Sequence, residues 1–163
     1  MKFIIYLLCL IFSFFLQAYD ENDLKILKKT KKCENCDLTN ANLSKLDLSN
    51  AMLSGSNLSL ANLTNTNFFR ADLSYSSLVK SKIYIANLDS ANLEGANLTE
   101  ARLNGASLRG ANLIDATLIS TVLSKSKLDE IILDGANLKY TKFRGANLQK
   151  AKFNGSVLSF TDF

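Results

Sequence analysis

The stretch "ANLEGANLTEARLNGASLRGANL", residues 91–113, repeats a five-residue pattern in which every fifth residue is leucine. Stepping by five from Leu38, this central position carries Leu, Ile or Phe at every step to Phe163. A helix has a period of 3.6 residues and a strand a period of 2, so neither alone produces a period of five. The pattern therefore indicates a repeat architecture that includes most of the chain.

Each repeat divides into a short strand and a corner. Two residues before the centre the side chain is nearly always small, as at Ala91 and Ala96, and the residue between is usually polar, which is typical of a strand with one buried face. All seven glycines lie two residues after a centre. Glycine accepts the positive φ that a type II turn requires at its third position. Three strand residues and two corner residues predict a chain that winds into a solenoid with its Leu and Ala side chains directed to the axis.

The segments "ANLEGANLTE", "RGANLIDATL" and "DGANLKYTKFRGANLQKAKFNG" resemble the A(D/N)LXX consensus of pentapeptide repeat proteins, over residues 36–163. The resemblance implies an all-β fold, a right-handed quadrilateral β-helix with four repeats per coil and a length of about 30 Å. Leu46 and Ile131 place large groups at the small position, which predicts a bulge at each. Segments 78–85 and 120–132 are short of Ala and Gly, and we expect them to be irregular.

The N-terminal residues predict export. Residues 1–18 combine Lys2, an apolar run of about 14 residues and Ala18, as in a secretory signal peptide, and that run is short of the ~20 residues of a transmembrane helix. An uncleaved anchor is the alternative. The mature protein is expected to be periplasmic or secreted in a bacterium, with no membrane span. Residues 19–35 are expected to contain a short helix that caps the first coil; the alternative for this lysine-rich segment is a basic element that touches a polyanion.

The motif "CENC" places Cys33 at a centre and Cys36 at a small position, so both side chains are expected to point inward. The open alternatives are a structural disulfide, simple packing of two thiols, and a catalytic or metal-binding pair. A zinc site would need four N or S ligands, and the chain has no His and no second cysteine pair to supply them.

The composition argues against catalysis. Without His there is no Ser-His-Asp or Cys-His arrangement, and every Gly is used at a corner rather than in a phosphate-binding loop. We therefore expect no catalytic, cofactor-binding or metal-binding residues. Some cytosolic members of the family that the repeats resemble mimic DNA with an acidic surface and bind DNA gyrase. The net charge of +4 disfavours such mimicry, and the interspersed charges disfavour nucleic-acid binding.

Two surfaces are candidates for protein binding. One is a partner face of outward apolar residues, although scattered surface hydrophobes are also common without function. Its members are Leu60, Phe69, Val79, Tyr84, Ile85 and Ile119. The other is the C-terminal coil, which resembles the ends through which family members dimerise and predicts a homodimer. Its candidate residues are Phe153, Leu158, Phe160 and Phe163.

These observations predict an exported, non-enzymatic protein-interaction or scaffold module. The alternatives are a structural envelope component that associates only with itself and a DNA-mimic regulator of a topoisomerase, which would have to be cytosolic.

Overall fold

A short helix covers the N-terminal end of a regular coil. The computed structural model describes residues 19–163, and the predicted signal peptide lies outside them. Helix α1 comprises Glu21–Thr30. It begins where the Asp20 carboxylate accepts hydrogen bonds from the backbone N–H groups of Asn22 and Asp23, and it ends at Lys31, whose φ is 57°. Within the helix, the side chain of Leu27 is fully buried. No helix within these residues is long and apolar enough to cross a membrane.

The remaining chain forms a four-sided coil. Parallel bridges join residues 20 positions apart, from Lys32 with Met52 to Lys142 with Asp162. A spacing of 20 residues is four five-residue repeats per turn, which makes the cross-section quadrilateral. Each strand is three residues long with the bridge at its middle. The backbone N–H of each centre as far as Phe143 donates to the next coil, as from Leu38 to the carbonyl of Asn57 at 2.8 Å.

We name the four faces by the outward residues at the middle of their strands. Face I runs through Asp37, Asn57, Ser77, Asn97, Thr117, Asn137 and Val157. Face II runs through Asn42, Asn62, Lys82, Arg102, Val122, Lys142 and Asp162. Face III runs through Asp47, Asn67, Asn87, Ser107, Lys127 and Asn147. Face IV runs through Lys32, Met52, Asp72, Asn92, Asn112, Ile132 and Lys152. The two residues that follow the centre of each face form the corner of the same numeral.

Stacked apolar side chains fill the axis. The centres from Leu38 to Leu138 and most of the alanines are buried, and Phe68 and Phe143 are the largest of the fully buried side chains. Because each fully buried Leu contributes about 1.5–3 kcal/mol relative to exposure, the stack can offset the backbone entropy that an isolated repeat could not.

Every corner uses the left-handed backbone conformation. Each fifth residue from Asn35 to Phe160 has a positive φ, and the turn closes with a bond such as that from the Ala41 N–H to the Leu38 carbonyl at 3.0 Å. Most of these positions carry residues other than glycine, including the β-branched Ile85 at φ 55°. The corner geometry is therefore imposed by the stack, and some residues adopt it under strain.

Ile85→Gly is expected to raise the free energy of unfolding by roughly 0.5–1 kcal/mol. The left-handed conformation costs an L-residue about 1–2 kcal/mol, and the greater unfolded-state entropy of glycine cancels about 0.5–1 kcal/mol of the gain. The matched control is Gly105→Ala on the same corner, where φ is 69° and the strain is introduced rather than removed. Chemical denaturation should give opposite shifts for the two variants. Equal shifts would contradict the argument.

The predicted irregularities are wrong. Corners and bridges continue without interruption through segments 78–85 and 120–132. Hydroxyls replace alanine there without cost, because Ser81 donates to the Leu78 carbonyl at 2.7 Å and Thr121 to the Leu98 carbonyl at 2.7 Å. A buried hydroxyl with a backbone acceptor does not disturb the coil.

The bulges predicted at the two large side chains are also absent. Ile131 is fully buried, and its carbonyl still accepts from the Lys152 N–H at 2.9 Å. It stacks between Ala111 and Ala151, so two small neighbours offset its volume. Leu46 is half-buried against the core, and its carbonyl accepts from the Asn67 N–H at 2.9 Å. The backbone register is thus insensitive to volume at single positions.

Candidate interaction surfaces

The interior of the described coil offers no polar group to a ligand. Its centres are apolar, and each buried side-chain nitrogen or oxygen within residues 19–163 has a hydrogen-bond partner. The buried hydroxyls of Thr66 and Thr141 donate to backbone carbonyls of the preceding coil at 2.8 and 2.7 Å, and that of Ser81 donates to a carbonyl of its own coil. Any binding by this part of the chain therefore takes place on its outer surface.

The C-terminal coil carries a cluster of aromatic rings. The ring of Phe163 stacks on that of buried Phe143 with centroids 5.4 Å apart, and Phe153 meets both rings edge-on at 6.4 Å. Phe160 stacks on Tyr140 with centroids 5.1 Å apart. Phe160 and Phe163 are nevertheless 74% and 62% exposed. Among residues 19–163, the last coil thus exposes aromatic side chains at positions whose equivalents in the other coils are more buried.

The same coil has an open backbone edge. In every earlier coil the N–H of the centre donates to the next coil, whereas those of Leu148, Phe153, Leu158 and Phe163 have no acceptor among residues 19–163. Leu158 is also 41% exposed. An edge that combines unpaired donors with apolar side chains is a template for pairing with another chain.

The six residues predicted to form a partner face lie on three different corners. Leu60, Val79 and Ile119 share corner I, Tyr84 and Ile85 form part of corner II, and Phe69 lies on corner III. Leu60 and Ile85 are 50% and 65% exposed, and the others are half-buried. The structure therefore does not bring the six together into one patch. Corner I instead aligns three of them with Tyr140 and Phe160.

The two cysteines lie at the junction of cap and coil. Cys33 and Cys36 are buried and form a disulfide with an S–S distance of 2.05 Å. A carboxylate oxygen of Asp23 and the two sulfurs lie within 4.8 Å of one another. The bridged sulfurs are not thiolates, which are the form that ligates metals, and the Asp23 carboxylate accepts a hydrogen bond from the Asp37 N–H at 2.8 Å. The geometry is that of a structural bridge.

Polar contacts hold the cap on the first coil. The Asp20 N–H donates to the Asp37 carbonyl at 3.0 Å, and the Lys31 ammonium lies 2.9 Å from the Asp47 carboxylate. The hydrogen bond from Lys31, with further bonds from Ser49, holds the pKa of Asp47 well below its usual range. The lysines of this segment thus include one that is used to fix the cap.

The family model "Pentapeptide repeats" matches in eight copies, over residues 32–69, 47–83, 86–124 and 131–163. These matches include well over half of the chain. The chain belongs to the pentapeptide repeat family. A search of curated protein sequences finds no significant match.

Solved pentapeptide repeat structures share the fold. Trypsin-treated QnrB1, a plasmid-mediated fluoroquinolone resistance protein, is 23% identical with a TM-score of 0.56, over 81% of this chain and 70% of that chain. HetL, involved in heterocyst differentiation regulation in Nostoc sp. strain PCC 7120, is 21% identical with a TM-score of 0.49, over 90% of this chain and 95% of that chain. A thylakoid lumen pentapeptide repeat protein of Arabidopsis thaliana is 22% identical with a TM-score of 0.43, over 76% of this chain and 68% of that chain. The family match, the likeness to QnrB1 and the bridges 20 residues apart show that the fold is a right-handed quadrilateral β-helix.

Some residues that are far apart in the sequence are brought together only by a complete coil, and the five-residue pattern alone does not identify them. Along the chain, Lys82, Arg102 and Lys142 are isolated cations among acids, but they share face II. The signal that finds them is a step of 20 residues rather than five, because 20 residues make one coil.

Proposed function

We propose that this pentapeptide repeat protein is exported and acts as a non-enzymatic protein-interaction or scaffold module. The pattern of residues 1–18 supports export. A filled axis supports a role without catalysis, since an enzyme needs a concave site that can enclose its substrate.

The observation that carries the proposal is the exposed end of the rod. Phe160 and Phe163 are 74% and 62% exposed beside an unpaired backbone edge. Exposed aromatic surface of this kind is typical of protein-binding sites, where Tyr, Trp and Phe supply most of the contact energy. A second copy of the chain is the simplest occupant. Among residues 19–163 the edge offers unpaired N–H donors, such as that of Phe153, together with unpaired carbonyl acceptors, such as that of Ala151, so two such edges can complement each other.

In-cell photo-crosslinking tests the interaction role. The probe is placed in turn at Phe160, Ile119 and Tyr84, with Tyr75 as the control. Tyr75 is 66% exposed but lies on corner IV, away from the other three. We expect discrete adducts from one of the three positions and none from Tyr75. Adducts to itself alone, and from Phe160 alone, would support the alternative of a self-associating structural component, while equal labelling from all four positions would contradict both.

The C-terminal coil is expected to mediate self-association. Static light scattering should give a dimer for the full chain at tens of micromolar, and a monomer for a variant with Phe160→Ser and Phe163→Ser. Replacing two central aromatic anchors typically weakens an interface by 2 kcal/mol or more each, roughly a thousandfold together. Tyr75→Ser is the matched surface control and should remain dimeric. A monomeric parent at that concentration would rule out this interface.

A further inference from the structure

The coil separates its charges between opposite sides. Face II together with its flanking corners I and II carries eight Lys or Arg residues and two acids, a net charge of +6. The rest of residues 36–163 carries five basic and nine acidic residues, a net of −4. The eight basic residues are Lys45, Lys80, Lys82, Arg102, Lys125, Lys139, Lys142 and Arg144. The nearly neutral sum of the repeats therefore conceals one basic side, which we call the basic face.

The fold does not explain these cations. On faces III and IV some of the equivalent positions hold stacked amides, with Asn87 donating to Asn67 and Asn112 to Asn92 at 3.1 Å each, and the lysines of those faces are not adjacent to one another. On face II, Lys82 and Arg102 occupy the same ladder position on adjacent coils, about 4.8 Å apart, where like charges destabilise a sheet.

Compensating acids are few on this side. Among the described residues, the ion pair on the basic face joins Lys80 to Glu100 at 3.6 Å. The Arg102 guanidinium donates instead to the Tyr84 hydroxyl at 3.4 Å. Lys139 lies over the Tyr140 ring, 5.2 Å from its centroid. The adjacent cations Lys82 and Arg102 are a cost to folding, and an external anion would offset it.

Apolar side chains line both edges of the basic face. Corner I carries Leu60, Tyr140 and Phe160, which are 50%, 45% and 74% exposed. Corner II carries Ile85, which is 65% exposed. Strands of one face lie side by side, so Lys82, Arg102 and Lys142 project from a flat surface. The two flanking corners carry the other five cations beside these apolar residues.

We propose that the basic face docks flat on an anionic lipid bilayer. Lysine and arginine near an anionic membrane each strengthen binding by about fivefold, and aromatic and aliphatic side chains beside them enter the headgroup region. A planar bilayer reaches all the cations and both apolar margins at once. A nucleic-acid duplex is convex and would meet a flat face along a narrow line, which leaves the margins unused. The proposal goes beyond the interaction role at the C-terminal end, because it concerns the side of the rod.

Two matched triple variants test the proposal. One carries Lys82→Asn, Arg102→Asn and Lys142→Asn on face II. The control carries Lys32→Asn, Lys127→Asn and Lys152→Asn, which occupy the same ladder position on faces III and IV and are equally exposed. Both variants lose three positive charges, and both introduce Asn, which is the commonest residue of the ladder. Thermal unfolding verifies that each is folded, and a matched glutamine triple replaces either one that is not.

Vesicle co-sedimentation of the full chain is the measurement. The vesicles are phosphatidylcholine with or without phosphatidylglycerol, at low and high salt. The parent should bind the anionic vesicles at low salt, and the face II variant should bind on the order of a hundredfold more weakly. The control variant should stay within a few-fold of the parent. Residues 1–18 are common to all three proteins, so they contribute no difference between them.

Three outcomes would overturn the proposal. Equal losses in both variants would mean that total charge rather than the basic face determines binding. Unchanged binding in the face II variant would mean that the face is not involved. Binding of a random-sequence DNA fragment that depends on face II, without binding of vesicles, would assign the face to nucleic acid instead.

Discussion

Leu98→Asp is expected to abolish the cooperative unfolding transition of the coil. Leu98 is fully buried and stacks in the axis between Leu78 and Leu118, one coil before and after. A carboxylate there would have apolar neighbours and no cation. Burying an unpaired charge costs several kcal/mol, against a total stability of about 5–15 kcal/mol for a typical domain. Circular dichroism during thermal unfolding is the measurement.

Two controls separate the charge from other effects of that substitution. Leu98→Ala leaves a cavity without a charge and should cost about 2–5 kcal/mol while keeping a single transition. Glu100→Gln, two residues away, removes an exposed ion pair with Lys80 at 3.6 Å and should change stability by less than about 1 kcal/mol. If the Leu98→Asp variant unfolds at the same midpoint temperature as the parent protein, the axis of the coil is not a dry apolar stack.

The strand and corner of each repeat could be predicted because their determinants are local. A Leu at the centre, a small residue two before it and a Gly two after it specify burial and turn within five residues. The number of sides could not be derived in the same way. It depends on the angle at each corner, and residues as different as Gly95, Lys80 and Ile85 adopt the same positive φ. Four sides were expected from the resemblance to the family, and the bridges 20 residues apart confirm them.

The surfaces were less predictable because they are made by residues of different coils. Tyr84 and Phe69 are 15 positions apart and lie on different corners, whereas Leu60 and Tyr140 are 80 apart and share one. Hydrophobicity along the chain therefore grouped residues that the coil separates. In the same way, Lys82 and Arg102 have no evident relation in the linear sequence, although they are neighbours on face II. The basic face is therefore visible only when charges are counted by face of the coil and not by segment of the sequence.

The end and the side of the rod can act together. The C-terminal edge points along the axis, whereas the basic face is perpendicular to it, so docking of face II on a bilayer leaves Phe163 and the unpaired N–H groups accessible. Phe160 belongs to both surfaces, since it lies on corner I of the last coil. A dimer formed through that coil would present two basic faces, and two linked sites bind more tightly than one when both can reach the surface.

Phe68→Ala is expected to destabilise the protein by about 3–5 kcal/mol, whereas Phe153→Ala should cost about 1–3 kcal/mol in the monomer. Phe68 is fully buried between Leu48 and Leu88 in the stack, and its removal leaves a large cavity. Phe153 is half-buried in the last coil, where it packs against the core on one side and makes edge-on contacts with Phe143 and Phe163. Each such pair contributes about 0.5–1.5 kcal/mol.

Chemical denaturation at two protein concentrations distinguishes the two positions further. In a solenoid each coil contacts its neighbours, so a substitution in the last coil loosens that coil with little effect on the others. If the last coil is also an interface, association stabilises the folded chain by mass action. The cost of Phe153→Ala should then increase with protein concentration, while that of Phe68→Ala should not. If the cost of Phe153→Ala is small and independent of protein concentration, the C-terminal coil is not the interface. That result would not affect the description of the stacked core.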